Sequence, residues 1–290
     1  MRVKPFLAIA FCCMIISSCQ KDLTFENSGG PGGGGSTNGD LLAKVVTKQG
    51  ADSAVEEFEY NASKKLVRTK TTDLSAGNLL TEDMRIVRNS GGIITSIIQK
   101  SDALTSQGID SVIVRVHYNT ATQRYTSKVS EISLFGLSIT DSTVLVYDAG
   151  GKVIREEDYF INALFGSQPL LAAKTEYTTG TSGISQINIF FVSDLLAGGP
   201  PELLARVKYS YDGKTSPLIL PAGEASIILR ADLSATENAN KLDYEDVQNA
   251  GAGNFIETIA YTYNTKNKPS SAIGTENPGG ITTTISYTYK

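Results

Sequence analysis

The sequence predicts an all-β protein: an antiparallel meander of about 14–16 strands with few short helices, strongly curled or barrel-like. Three observations predict it. Helical periodicity is nearly absent, while short alternating runs rich in Val, Ile, Thr and Tyr recur, as in Ser111–Tyr118, Ser142–Tyr147, Gln186–Val192 and Ile281–Tyr289. Clusters of Asn, Asp and Gly break those runs at turn-length intervals. Finally, one nine-residue pattern returns along the chain at a nearly fixed spacing.

That pattern is clearest in Tyr60 "YNASKKLVR" and Tyr147 "YDAGGKVIR", which align without a gap. Arg88 "RNSGGIITS" and Tyr118 "YNTATQRYT" keep the register, and weaker copies open at Tyr177, Tyr211 and Tyr263. Anchors 60, 88, 118, 147 and 177 lie 28, 30, 29 and 30 residues apart. Each unit of about 29 residues reads as strand, polar turn, strand, because Asn, Asp and Gly tolerate the left-handed backbone of a tight hairpin. The long interval from 211 to 263 leaves room for a further copy at Asn238–Leu242. Aromatic pairs two apart (Phe58 and Tyr60, Tyr209 and Tyr211, Tyr261 and Tyr263, Tyr287 and Tyr289) fall on one face of their strands. Helix-compatible sequence is confined to Asn162–Lys174 and Pro201–Val207.

Ahead of the strands, Arg2 and Lys4 precede an apolar stretch, Pro5–Ile16, of 12 residues, too short to span a bilayer as a helix. Ile16-Ser17-Ser18-Cys19 follows, and it resembles a bacterial lipobox at all four positions. The resemblance implies that residues 1–18 are a lipoprotein signal peptide, that Cys19 is lipidated, and that several acyl chains on one residue hold the protein at a membrane. Cys12 and Cys13 would leave with the signal peptide, so the mature chain would have no free thiol for a disulfide or a metal. Gln20, in place of Asp, resembles the outer-membrane sorting position. Gln20-Lys21-Asp22 is similar to the surface-export tag of Bacteroidota lipoproteins, with Leu23 where that tag has a second acid. Periplasmic and cell-surface display both stay open, with surface display the closer match. Residues 19–40 form the lipidated N-terminus and tether: seven of the twelve residues Ser28–Gly39 are Gly, and the Lys-Ser/Thr ending of a phosphate cradle is missing. Residues 41–290 then form one all-β repeat domain.

The recurring "Y-N/D-x-x-G-K-hydrophobic-x-R" motif resembles the YD-type repeats of large secreted shell proteins. With the lipobox and the segments "YSYDGKTSP" and "YTYNTKNKP", the chain is more closely similar to Bacteroidota lipoproteins of unknown function carrying YD-like β-hairpins. That resemblance implies a soluble, porin-like antiparallel sheet over roughly residues 55–290, and it brings no catalytic residues. The copies at Arg88, without its Tyr, and at Tyr177 depart from the motif.

Function classes are bounded by what the chain offers. It has 26 basic and 30 acidic residues; loss of Arg2 and Lys4 takes the net charge from −4 to −6, and with no basic cluster a nucleic-acid partner is excluded. His117 is the single histidine, set in "RVHYN" beside a turn, and no G-x-S-x-G elbow accompanies it. Zinc needs several His or Cys ligands. The acid pairs Glu56/Glu57, Glu156–Asp158 and Asp243/Glu245/Asp246 read as solvated edge charges, since neighbours on a strand face opposite ways and most lie near Lys or Arg. Asp232–Asp246 is the one run with enough acids for weak calcium binding, but it lacks the spaced Asp-x-Asx-x-Asx-Gly loop. Thirteen Tyr and no Trp favour cross-strand packing over a glycan platform. The expectation is a non-enzymatic, lipid-anchored structural or binding module of the outer membrane or cell surface. It has no catalytic or metal residues and no cofactor, and its membrane contact runs through Cys19. The alternative is a glycan- or peptide-binding accessory of a nutrient-uptake system.

Overall fold

The computed structural model describes residues 41–290 apart from 76, 135–136, 163–167, 196–197, 229, 231–233 and 250–252. Cys19 and the glycine-rich segment lie outside the described residues. The first eight strands are β1 Leu42–Gln49, β2 Asp52–Tyr60, β3 Leu66–Ser75, β4 Asn78–Arg88, β5 Ile94–Ser101, β6 Val112–Asn119, β7 Arg124–Leu134 and β8 Leu137–Tyr147. The second eight are β9 Val153–Asn162, β10 Leu170–Thr179, β11 Ile184–Phe191, β12 Glu202–Thr215, β13 Glu237–Asp246, β14 Phe255–Tyr263, β15 Pro269–Asn277 and β16 Ile281–Tyr289. Every strand pairs antiparallel with its sequence neighbours, and β1 pairs with β16, so the sheet closes into a 16-strand barrel. The expected all-β, barrel-like meander is borne out.

The two helices described are α1, Asp102–Ser106, and α2, Ala222–Ile227. Of the stretches Asn162–Lys174 and Pro201–Val207, expected to suit helices, residues 170–174 lie in β10 and 202–207 in β12, where neighbouring strands claim their backbone groups. Pairing across the barrel overrides local preference.

One hairpin design recurs at a single end of the barrel. In the turns 61–65, 89–93, 148–152 and 264–268, the Asn or Asp side chain accepts from the amide four residues on, at 2.9–3.1 Å. The fourth turn residue is left-handed in each: Lys64 (φ 58°), Gly92 (77°), Gly151 (85°) and Asn267 (57°). Beyond each turn the register slips by one residue, so that Tyr60 faces Leu66, Arg88 faces Ile94, Tyr147 faces Val153 and Tyr263 faces Pro269. Such a bulge resets the two-residue alternation. Without it, the residue opening the second strand would point to solvent; with it, Leu66, Ile94 and Val153 are buried.

Tyr hydroxyls lock the bulges of several hairpins at this end, that at Pro269 among them. Tyr147, Tyr211, Tyr261 and Tyr289 donate to the carbonyls of Tyr125, Ile184, Ala239 and Pro269, the bulge residues of the preceding strands, at 2.6–2.8 Å. Each bond is a partly buried donor satisfied, worth about 1 kcal/mol. At Arg88 the guanidinium Nε replaces the hydroxyl and donates to the Leu66 carbonyl at 3.2 Å. Tyr177 lies two residues short of the expected place: Thr179, opposite Ile184, occupies the position that Tyr147 holds opposite Val153. Asn238–Leu242 opens β13, and the interval before it holds an insertion in place of a short turn.

The two faces of the wall divide by polarity. On β6, Ile113, Arg115, His117 and Asn119 are exposed, while Val112, Val114, Val116 and Tyr118 turn inward. On β16, Thr282, Thr284, Ser286 and Thr288 face out, while Thr283, Ile285 and Tyr287 are buried. Outward ion pairs such as Arg68 with Glu59 and Asp83, and Arg206 with Glu245, cross the strands. The core is the inside of the barrel, where Leu42, Phe58, Ile86, Ile97, Leu145 and Ile285 belong to one cluster.

Candidate functional site

The described residues between β12 and β13, 216–228, 230 and 234–236, close that inner space at the hairpin end. Leu218 and Leu220 lead in, and α2 follows with Ala225, Ile227 and Ile228 each at most 2 % exposed. All five join the core cluster built from the strands. Burial of the four larger side chains, Leu218, Leu220, Ile227 and Ile228, stabilises the insertion by about 1.5–3 kcal/mol each. The segment is a plug, contributed by one connection to the inside of the whole barrel.

Polar latches hold it to strands far away in sequence. Arg88 grips Glu224 through two parallel bonds of 2.9 and 2.8 Å, with the two side chains only 5 % and 13 % exposed. Arg230 reaches Glu56 on β2 at 2.8 Å. Lys128 on β7 donates to the Ser226 carbonyl at 2.9 Å and lies 3.7 Å from the Glu156 carboxylate on β9. Tyr125 Oη accepts from the Ile94 amide at 2.9 Å and donates to Glu224 at 3.4 Å. The one repeat position where Arg stands in place of Tyr is thus the position that binds the plug.

A second polar layer continues from Lys128 along the inner wall. Tyr177 donates to Glu156 at 2.8 Å, and Thr143 donates to Asp158 at 2.6 Å. Burial raises the Asp158 carboxyl above its ordinary value, Lys128 opposing. Burial, with Asp158 beside it, pushes Asp141 up to about 6. Across the barrel Glu257 faces Glu276 directly, and burial followed by that like charge pushes Glu257 up to about 7. Beside α2, Lys152, Tyr177, Thr181, Ile184, Ala222 and Ser226 line a cleft of about 220 Å³.

Several expectations are corrected here. A closed barrel has no edge, so the acid pairs are not edge charges: Glu56, Glu156 and Asp158 face the interior, whereas Glu57 faces out beside Lys44 and Asp243 beside Lys241. Arg230, which pairs with Glu56, belongs to the plug and not to a strand. His117 is exposed on the outer wall between Arg115 and Asn119. Asp246, at the end of the acidic run 232–246, accepts hydrogen bonds from Asn249, and among the described residues no group of three metal-ligating side chains forms. Tyr147, Tyr211, Tyr261 and Tyr289 engage their hydroxyls on backbone carbonyls of the neighbouring strand, the cross-strand role that the sequence favours over an exposed platform. Sequence reading missed the plug. Its traces were the overlong 211–263 interval and the Arg at position 88.

No protein-family model matches the chain, and no curated protein matches it. Among solved structures it is similar to a porin-like protein from Bacteroides uniformis ATCC 8492, at 11% identity and a TM-score of 0.52, covering 86% of this chain and 98% of that one. It is likewise similar to a porin-like protein from Bacteroides vulgatus ATCC 8482, at 12% identity and a TM-score of 0.52, covering 87% and 99%. At such identities the likeness is one of fold: an antiparallel, all-β barrel.

Proposed function

We propose that the chain is a lipid-tethered barrel that stands in water at the outer membrane or cell surface and acts there as a non-enzymatic structural or binding module. The observation that carries this is the wall itself. A barrel that crosses a bilayer presents an apolar band outward, with aromatic girdles, around a polar lumen. Here the outward positions of β6 and β16 are mainly polar or charged, with Arg115, His117, Asn119, Thr282, Thr284, Ser286 and Thr288 beside a single Ile113, and the inside holds an apolar core with a plug. An Arg or Lys at mid-bilayer costs about 2–4 kcal/mol, and Arg68, Arg115 and Arg206 all stand on the outer face.

The lipobox at Cys19 supports the tether, and the porin-like fold of the two Bacteroides proteins supports the location. Residues 41–290, made without detergent, are expected to be folded, β-rich by circular dichroism and cooperative on melting. A chain that folds only in detergent or lipid overturns the reading. Intact-mass analysis of membrane-extracted protein tests the anchor separately: the mature chain should begin at Cys19 and carry acyl mass there, and Cys19→Ala should abolish it.

A further inference from the structure

Large aliphatic side chains left exposed on the barrel are unevenly placed. Among the described residues, Leu74, Leu79, Leu80, Val87, Ile113, Ile256, Ile273 and Ile281 are exposed. Six of these eight, all but Val87 and Ile273, lie in the last two positions of β3 or the first three of β4, β6, β14 and β16. Those strand ends share one side of the molecule, the end opposite the plug and the Asx turns. Leu79 is 61 %, Leu80 50 % and Ile113 53 % exposed. Leu74 pairs with Leu79 across the β3–β4 hairpin, so two apolar side chains stand together at its tip. Exposed apolar groups gathered in one place mark an interaction surface, whereas scattered ones need no explanation.

The chemistry of the rim selects its partner. Protein interfaces are enriched in Tyr, Trp, Met and Arg, and their dominant contacts come from Trp, Tyr and Arg, with Leu under-represented. The six rim residues are Leu and Ile alone. Aliphatic groups without hydrogen-bonding atoms suit the acyl boundary of a bilayer, where apolar side chains enter by about 5–10 Å. We infer that this end of the barrel docks shallowly on a lipid bilayer surface, with Leu74, Leu79 and Leu80 as its leading contact. The polar wall between the rim and the plugged end stays in water. The geometry admits a lipid anchor too: residues 19–40 could span about 70 Å when extended, more than the roughly 30 Å of a barrel strand. Rim docking extends the proposed location but does not require the anchor.

Fluorescence quenching on vesicles of phosphatidylethanolamine and phosphatidylglycerol tests it, using the full mature chain with an environment-sensitive probe at Leu79→Cys or, at a plugged-end turn, Ser63→Cys. Brominated acyl chains should quench the Leu79→Cys probe and leave the Ser63→Cys probe unchanged. Leu74→Asp with Leu80→Asp should reduce quenching at Leu79→Cys about ten-fold, with an unaltered circular dichroism spectrum. A chain that floats with vesicles while its Leu79→Cys probe stays unquenched overturns the docking and leaves the anchor standing. Quenching at Leu79→Cys that persists in a Cys19→Ala chain supports docking that is independent of the anchor. A chain that does not float at all overturns both, and a rim that captures protein but no vesicle overturns the lipid partner.

Discussion

The two ends of this barrel are made from the same strands by different rules. At the plugged end, recurring Asx turns, one-residue bulges and Tyr-to-carbonyl bonds place the inward side chains, and Arg88, Lys128 and Glu56 fasten the plug. At the far end the connections differ from one another: a two-residue β1–β2 turn contrasts with the helical α1 link, and apolar side chains stand exposed. The difference teaches that stability and display are segregated along the barrel axis. One end contains buried polar groups whose loss is costly, and the other contains surface groups whose loss is nearly free.

The largest effect should come from Arg88→Ala, which strands the Glu224 carboxylate within the core. Breaking a buried pair from one side costs about 3–5 kcal/mol, measured as a loss of unfolding free energy in urea. Replacing both partners, Arg88→Leu with Glu224→Leu, should recover most of that loss. If the double variant is as unstable as the single one, the pair positions the plug in a way apolar packing cannot replace.

Next comes Glu257→Gln, whose effect depends on pH. Its folded value, about 7, exceeds the ordinary 4.5. The folded protein therefore holds this proton more tightly than the unfolded chain. That contribution is fully present below about pH 4.5 and is lost as pH rises through 7. Relative to the wild type, Glu257→Gln should gain about 1 kcal/mol at pH 8, allowing for solvent screening, and nothing at pH 4. Melting curves across that range check it; a gain independent of pH would assign the effect to packing.

Smaller still is Asn61→Ala, which removes the carboxamide that accepts from the Lys65 amide at 3.0 Å. An exposed turn bond of this kind should cost about 0.5–1 kcal/mol. Lys64→Gly in the same turn should move stability the other way, because Lys64 sits at φ 58°. The smallest effect belongs to the far end: Leu79→Asp should change the unfolding free energy by less than about 0.5 kcal/mol. A large loss there would break the contrast between the ends.

The sequence shows the strands because alternation and turn residues are local signals. It shows the hairpin period at 60, 88 and 147 because an Asx turn needs its Asn or Asp and its left-handed residue at fixed offsets; the copy at 118 keeps its Asn119 but has its left-handed residue, Gln123, one position later. It misplaces the fifth anchor, since Tyr177 is inward but two residues early, and motif alignment cannot see register. Closure of the sheet leaves no local trace either; it depends on β1 meeting β16. The plug is the least legible part, because its meaning rests on contacts such as Arg88 to Glu224, 136 residues apart in sequence. Glu56 and Glu156 look like surface acids for the same reason: their neighbours in the chain are charged, and their true partners lie on the plug and on β7.

The β1–β16 seam has a temporal meaning. Gln49 bonds Thr283 across 234 residues at one end of it, and Leu41 and Lys290 exchange backbone hydrogen bonds at the other. Until Ile281–Tyr289 arrives, the growing sheet has two raw margins, each a row of unpaired amides and carbonyls ready to recruit a stranger. The final nine-residue strand is therefore the keystone in time as well as space, and a chain halted before it is a template for aggregation. In the finished ring, by contrast, that join is geometrically one hairpin stem among sixteen. The ring could be opened at another turn and rejoined at the seam, with the order of synthesis changed and the architecture kept.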